Sequence, residues 1–233
     1  MIRNALTFLI VFSLSSCAEL QQVVNQLPQG GVSQTEIAAG LRQALDFGID
    51  KQVTKLTQPD GFYKNELVKI VLPEELQKVD QTLRDIGLSK LADEGLKLLN
   101  RAAEDAVKEA TPIFVDAVKG ITFADAKTIL LGTDDAATQY LSSKTASALY
   151  AKFHPVIKKS FSKVGADTIW TNLITKYNAI PLTANVNPDL TDYVTKEALE
   201  GVYTMIAVEE KDIRNKLTSR TTDLLKKVFA LQD

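Results

Sequence analysis

Hydrophobic positions recur along most of this chain at three- and four-residue intervals, the period of an amphipathic helix, and no clear run alternates at two. Ser33-Gln34-Thr35-Glu36 fits a capping box, with the Ser33 hydroxyl accepting from first-turn amides and Glu36 reaching back. Ile37, Leu41, Ala44, Leu45, Gly48 and Ile49 continue at helical spacing to Leu56, and Gln58-Pro59-Asp60-Gly61 turns the chain. The aromatic pair Phe62 and Tyr63 follows the bend. The apolar run from Asn65 to Leu72 suits a strand or a helical turn and is read as helix. Pro73 fits a first helical position, with Glu74 and Glu75 where the helix dipole favours acids. Leu76, Val79, Leu83 and Ile86 then form a stripe that Gly87 ends.

Ser89 caps the longest predicted helix, which runs to Lys119 with a kink or break at Pro112. Its stripe is Leu91, Leu98, Ala102, Ala106, Ala110, Ile113 and Phe114. The small residues Ala102, Ala103, Ala106 and Ala110 predict close approach of a neighbour and hence a central helix. Gly120 ends it. Thr122-Phe123-Ala124-Asp125 is a second cap with an acid at its third helical position, and Leu130-Leu131-Gly132 closes that short helix. Thr133 or Asp134 starts the next, which Pro155 interrupts or begins anew; Val156 to Tyr177 continues around Phe161, Val164, Ile169, Trp170 and Leu173. Asn178 to Pro188 is the longest irregular stretch. Asp189-Leu190-Thr191-Asp192 caps two last helices, marked by Val194, Ala198, Val202, Ile206, Ile213 and Leu217, then by Leu224, Leu225, Val228 and Phe229. The expectation is an all-α, multi-helix bundle forming one domain over residues 33–233.

The N-terminus has a different character. Met1-Ile2-Arg3-Asn4 is short and positively charged, and Ala5 to Leu14 is an apolar run too short to cross about 30 Å of hydrocarbon as a helix. Together they read as a signal peptide over residues 1–16. The run closes on Leu14-Ser15-Ser16-Cys17, which resembles the bacterial lipobox, in which the cysteine is lipid-modified and becomes the mature N-terminus. Cys17 is the only cysteine, so its position supplies its reason. Each buried acyl methylene contributes about 0.8 kcal/mol, so several palmitate-like chains make a durable membrane anchor. Ala18 follows, where an aspartate would resemble an inner-membrane retention signal. The expected place is therefore the cell envelope, as an outer-membrane lipoprotein facing the periplasm. Residues 18–32 are glutamine-rich, close with Pro28 and Gly30-Gly31, and with Cys17 form a flexible tether over residues 17–32.

Composition narrows the remaining possibilities. Hydrophobic residues make up 45% and charged residues 24% of the 233, too apolar for a disordered chain. The net charge is −2; losing residues 1–16 removes Arg3 and no acid, leaving 26 cations against 29 acids, a net −3. Lys and Arg are scattered, so no field favours a nucleic-acid partner.

The folded part resembles a family of bacterial lipoproteins, domain of unknown function 4197. The resemblance rests on Asp60-Gly61-Phe62, Leu72-Pro73, Asn100-Arg101-Ala102-Ala103-Glu104, and Asp125-Ala126 with Ile129-Leu130-Leu131-Gly132. It continues in Ala136-Ala137-Thr138 with Tyr140, Tyr193-Val194-Thr195, Gly201, and Glu209-Glu210 with Ile213-Arg214. These motifs span Ser33 to Phe229. Lys216-Leu217 departs from the pattern, where a helix-breaking proline is expected after Arg214. The resemblance implies a helical fold and an envelope location, and no known activity.

Asn100, Arg101, Glu104 and Asp105 crowd one helical turn, and Arg101 can pair with either acid. Glu209 and Glu210 lie between Ile206 and Ile213 on an apolar stripe, so at least one meets the edge of the core and needs a partner, such as Arg101 or Arg214. This predicts a partly buried polar cluster of Arg101, Glu104, Glu209 or Glu210, and Arg214, structural in role, with ligand binding or catalysis as alternatives. Asp134-Asp135 complements a helix dipole. His154, the only histidine, is read as a helix-end or surface residue. One histidine and one lipidated cysteine leave no Cys/His zinc site, no Cys–His nucleophile and no Glu-x-x-His di-iron motif. Ser160-Phe161-Ser162-Lys163 has the Ser-x-x-Lys spacing without its companion motifs, and there is no glycine-rich phosphate loop. No catalytic residue, metal or cofactor is expected.

Three functions follow in order. The first is a non-enzymatic envelope module that binds a partner protein or scaffold. The second is a binder of lipid or a small apolar ligand, in a cavity between helices near Phe62, Tyr63 and Trp170. The third is a hydrolase using acidic residues. A solid core with an exposed apolar patch favours the first, and an apolar cavity the second. Convergent carboxylates of raised pKa favour the third.

Overall fold

The computed structural model describes residues 31–85, 87, 89–163, 166–178 and 189–233. The signal peptide, Cys17, most of the tether and the stretch up to Pro188 lie outside the described residues, as do Ile86, Val164 and the side chains of Glu75, Val79, Leu83, Leu91, Ile169 and Leu173. Among the described residues the regular structure is helical, with no β-strand. The helices are α1 (Gln34–Leu56), α2 (Glu74–Asp85), α3 (Ser89–Val107), α4 (Ala110–Lys119), α5 (Phe123–Leu130), α6 (Ala136–Lys163), α7 (Ala166–Asn178), α8 (Thr191–Asn215) and α9 (Asp223–Phe229), with 3-10 turns at Leu217–Ser219 and Ala230–Gln232.

Residues Gln34–Asp233 cluster as one compact unit. Helices α6 and α8 make the most extensive contact; α3 lies against both, and α1 packs on α8, α4, α5 and α9. The small face of α3 is fully buried at Ala102, Ala103 and Ala106, as the sequence suggested, but the middle of the bundle is shared with α6 and α8. Two glycines set close approaches. A Cβ on Gly40 of α1 would lie 2.6 Å from Val228 Cγ2 of α9, and one on Gly201 of α8 would lie 2.7 Å from Phe62 Cε1.

Four expectations about the elements are corrected. The chain breaks before Pro112, not at it, so α3 ends at Val107 and Pro112 sits in the first turn of α4, where its missing N–H costs nothing. Pro155 does not interrupt α6. It lies on the solvent side while Leu149, Phe153, Ile157 and Phe161 carry one buried face straight through, so water can solvate the carbonyl that the proline leaves unpaired.

The run from Asn65 to Leu72 is not helical beyond one turn at Asn65–Lys69. Val68, Ile70 and Leu72 are buried, while Val71 is 51% exposed. The Asn100 side chain takes the place of a partner strand: the Ile70 amide donates to Asn100 Oδ1 at 2.8 Å, and Asn100 Nδ2 donates to the Ile70 carbonyl at 2.8 Å. Finally, Leu217 is 68% exposed and lies beyond α8, which ends at Asn215 without a proline because Lys216 turns to an extended backbone (φ −124°, ψ 111°).

Candidate functional site

The five polar residues singled out by sequence do not form one cluster. They fall into three hydrogen-bonded groups, each fastening a different joint of the bundle. The first joint is the bend after α1. Asp60 has φ 66°, the left-handed region that aspartate tolerates better than most residues. Gly61 beside it is obligatory, since a Cβ there would lie 2.5 Å from the Leu56 carbonyl oxygen. The turn aims the Asp60 carboxylate at α3, where Arg101 Nη2 donates to it at 2.7 Å; Lys64 Nζ lies 2.8 Å away on its other side. The hydrogen-bonded Lys64, helped by Arg101 and Lys97, holds the Asp60 carboxyl below the usual carboxylate range. Arg101 Nη1 also donates to Glu104 Oε2 at 2.7 Å, and Glu104 Oε1 accepts the Phe62 amide. Glu104 is 3% exposed and fully occupied: it ties the turn that delivers Phe62 into the core.

The second joint is the corner between α5 and α6. Glu210 Oε1 accepts the Ala137 amide, and its Oε2 accepts the amide and hydroxyl of Thr138, all at 2.8 Å. A carboxylate from α8 thus caps the start of α6, where the helix dipole is positive. Arg214, one turn further along α8, donates to the Ile129 and Leu130 carbonyls at the end of α5, where the dipole is negative. The two charges meet at 2.8 Å. Arg220, which the sequence reading passed over, extends the network. Its guanidinium donates to the Ile213 and Arg214 carbonyls and pairs with Asp233 at 2.7 Å. Nothing local in the sequence marks Arg220, because its partners are two backbone oxygens and the carboxylate of Asp233, which only the turn after α8 brings into range.

Glu209 forms the third group. It accepts from Lys51 Nζ at 2.7 Å and from Gln52 Nε2 at 2.8 Å, joining α8 to α1. Both glutamates are therefore buried, at 9% and 8% exposure, and turn about 100° apart on α8 to different neighbours. Asp135 stands just before α6, and hydrogen bonds from the Gln139 and Thr133 side chains hold its carboxyl below the usual range. His154 is half-buried with its ring 5.6 Å from that of Tyr150. Ser160 contacts Asp105 at 3.4 Å, which leaves no Ser–Lys pair. Among the described residues, no three His, Cys, Asp or Glu side chains converge as for a metal ion, and no helix is long and apolar enough to cross a membrane.

The space between helices is limited. Beneath the Glu210–Arg214 pair lies a void of about 20 Å³ with an apolar lining that includes Leu41, Leu45, Ile206 and Phe229, room for about one water. A cavity of about 230 Å³ adjoins Trp170, with Phe161, Leu190, Lys158 and Asp189 on its walls. Phe62 and Tyr63 do not line it. Phe62 is fully buried against Gly201 and Glu104, and the Tyr63 ring lies 4.9 Å below Lys69 Nζ. An opening of about 490 Å³ forms a groove at Phe47, Asp50, Lys51, Glu209 and Ile213.

Compared with known proteins, residues 31–230 match a family model described as a protein of unknown function, DUF4197. Neither a curated protein nor a solved structure matches the chain.

Proposed function

The chain belongs to the DUF4197 family, and from that premise we propose that it is a lipid-anchored protein of the bacterial cell envelope whose helical domain is a non-enzymatic module binding a partner protein or a scaffold. The observation that carries the anchor is Cys17, the sole cysteine, standing directly after Leu14-Ser15-Ser16 at the end of an apolar run that a single arginine precedes. Ala18, where an aspartate would resemble an inner-membrane retention signal, supports an outer-membrane site facing the periplasm. What supports binding over catalysis is the use already made of the ionic side chains within the core. Glu104, Glu210, Arg214 and Arg220 are each saturated by helix ends, turns or a partner charge, so withdrawing one for chemistry would open a joint. Cells fed labelled palmitate test the anchor: the wild-type protein takes up label and stays with membranes in high salt, and Cys17→Ser does neither. An unlabelled wild-type protein that washes off overturns it.

The second reading, a binder of lipid or another small apolar ligand, draws on the cavity beside Trp170. Its volume of about 230 Å³ falls below the roughly 300–1,000 Å³ of most ligand pockets, and Lys158, Asp167 and Asp189 put charged groups on its walls. Native mass spectrometry of protein extracted from envelopes separates the two readings, since the second requires a co-purifying lipid that Trp170→Ala loses.

A further inference from the structure

The groove at Phe47 lies where α1, the C-terminal half of α8 and the 3-10 turn after it meet, outside every joint described above except that of Glu209. Its volume of about 490 Å³ is that of a ligand cleft. Ile213 forms an apolar floor, and Phe47 stands on one wall with 46% of its surface open to water. Asp50, one turn along, adds a carboxylate, and the hydroxyl-bearing residues Thr218, Ser219 and Thr221 complete the lining. Among the described residues, the Asp50 carboxylate and these hydroxyls have no protein partner. Glu209 adds a carboxylate whose direction Gln52 fixes from below.

We infer that this groove binds an oligosaccharide. A pyranose ring has two kinds of surface, a face of C–H groups and a rim of hydroxyls that each donate and accept. The exposed Phe47 ring suits the first, since its electron-rich face attracts the C–H hydrogens. The rim needs acceptors and two-way groups together, which the Asp50 carboxylate and three hydroxyls supply. The charged lining, Asp50 and Glu209 against Lys51, sums to −1, which disfavours phosphorylated or uronic sugars and favours neutral or N-acetylated amino sugars, whose amide N–H can donate to Asp50. A glycan is a scaffold polymer, so the inference deepens the proposed function by naming the scaffold's chemistry. The binding itself does not rest on acylation at Cys17, and failure of either leaves the other standing.

The test is an NMR titration of the full, isotope-labelled chain in detergent with chitotetraose, cellotetraose and maltotetraose, alongside a peptide rich in lysine and leucine. Chitotetraose should shift the amides of residues 47–51 and 213–221 and receive saturation transfer at its ring C–H protons. Phe47→Ala should weaken this about tenfold with little change in Tm, because the ring is half-exposed. Asp50→Asn is the second variant, matched in shape, and should weaken binding without touching the fold. The inference fails if none of the three sugars shifts these amides at ~10 mM, if both variants bind as the wild type does, or if the peptide alone produces the shifts.

Discussion

Glu210 and Arg214, one turn apart on α8 and 2.8 Å apart at their charged ends, each hold the terminus of a different helix. The pair is thus a splint across the Leu131–Asp135 link between α5 and α6, and its energetics differ from those of an isolated ion pair. Removing one partner strands a buried charge at a cost of about 3–5 kcal/mol. Glu210→Gln and Arg214→Met should each lower Tm by about 6–20 °C for a chain of this size. In a simple buried pair, replacing both residues with apolar ones recovers most of that loss. Here Glu210→Leu with Arg214→Met still orphans the Ala137 and Thr138 amides, so the double variant should remain at least about 2 kcal/mol below wild type. Urea denaturation of the four proteins decides it; a double variant near wild-type stability would show that the helix ends do not need these side chains.

Asn100 serves the segment around Ile70 as an edge strand would, with one donor and one acceptor in register. Asn100→Asp keeps the shape but withdraws the donor, facing a carboxylate toward the Ile70 and Leu96 carbonyls in a site that is 0% exposed. The expected cost is about 2–4 kcal/mol, more than one unsatisfied group because the new charge is buried too. Hydrogen exchange at the Ile70 amide should accelerate more than exchange in α9, which lies elsewhere in the bundle.

Gly201 faces the Phe62 ring at a distance no real Cβ keeps, 2.7 Å, with Val68 Cβ at 3.3 Å behind it. Gly201→Ala should destabilise by about 1–3 kcal/mol through overpacking. Phe62→Leu, destabilising alone, should cost less in that background, since it empties the space the new methyl needs. Additive losses in a double-mutant cycle would mean that the two residues do not press on each other.

Asp60 predicts the acid response. Its folded pKa lies below the ordinary value, so its ion pairs stabilise the fold above the unfolded pKa of about 4, and that contribution disappears as pH falls through the lowered folded value. Asp60→Asn fits the same left-handed backbone without the charge. Thermal melts at neutral pH and near pH 3 should therefore differ less for Asp60→Asn than for wild type. An equal pH dependence in both would remove Asp60 from the account.

What the sequence made legible was local or periodic. The cap at Thr122 is as expected, with the Asp125 amide donating to the Thr122 hydroxyl at 3.2 Å and Asp125 accepting the Thr122 amide at 3.0 Å, because three residues suffice to write it. The stripes of α1 and α8 were likewise plain, from Leu41 to Leu56 and from Val194 to Ile213. The polar residues were recognised as in need of partners, and the pairs Arg101–Glu104 and Glu210–Arg214 form, but not the single cluster expected to join them. Arg101 pairs within its own helix and with the turn at Asp60, whereas Arg214 reaches α5; which way each helix is rotated at its crossing decides this, and periodicity carries no such phase between helices. The run from Asn65 to Leu72 misled for a related reason. Its period-two burial was present at Val68, Ile70 and Leu72, but a strand was unexpected without a second strand, and the amide that replaced one comes from 30 residues downstream.

Helix α8 is keyed on several sides at once: Gly201 admits Phe62, Glu209 reaches α1, Glu210 and Arg214 grip the α5–α6 corner. One residue inserted or deleted between 201 and 214 would rotate everything beyond it by about 100° and pull those teeth out of their slots. The linker from Lys216 to Thr222 is mostly exposed and is held chiefly through Arg220, so its first residues carry no such constraint. Length variation among relatives should therefore accumulate after α8 and be shut out of its interior, whatever freedom the individual side chains enjoy.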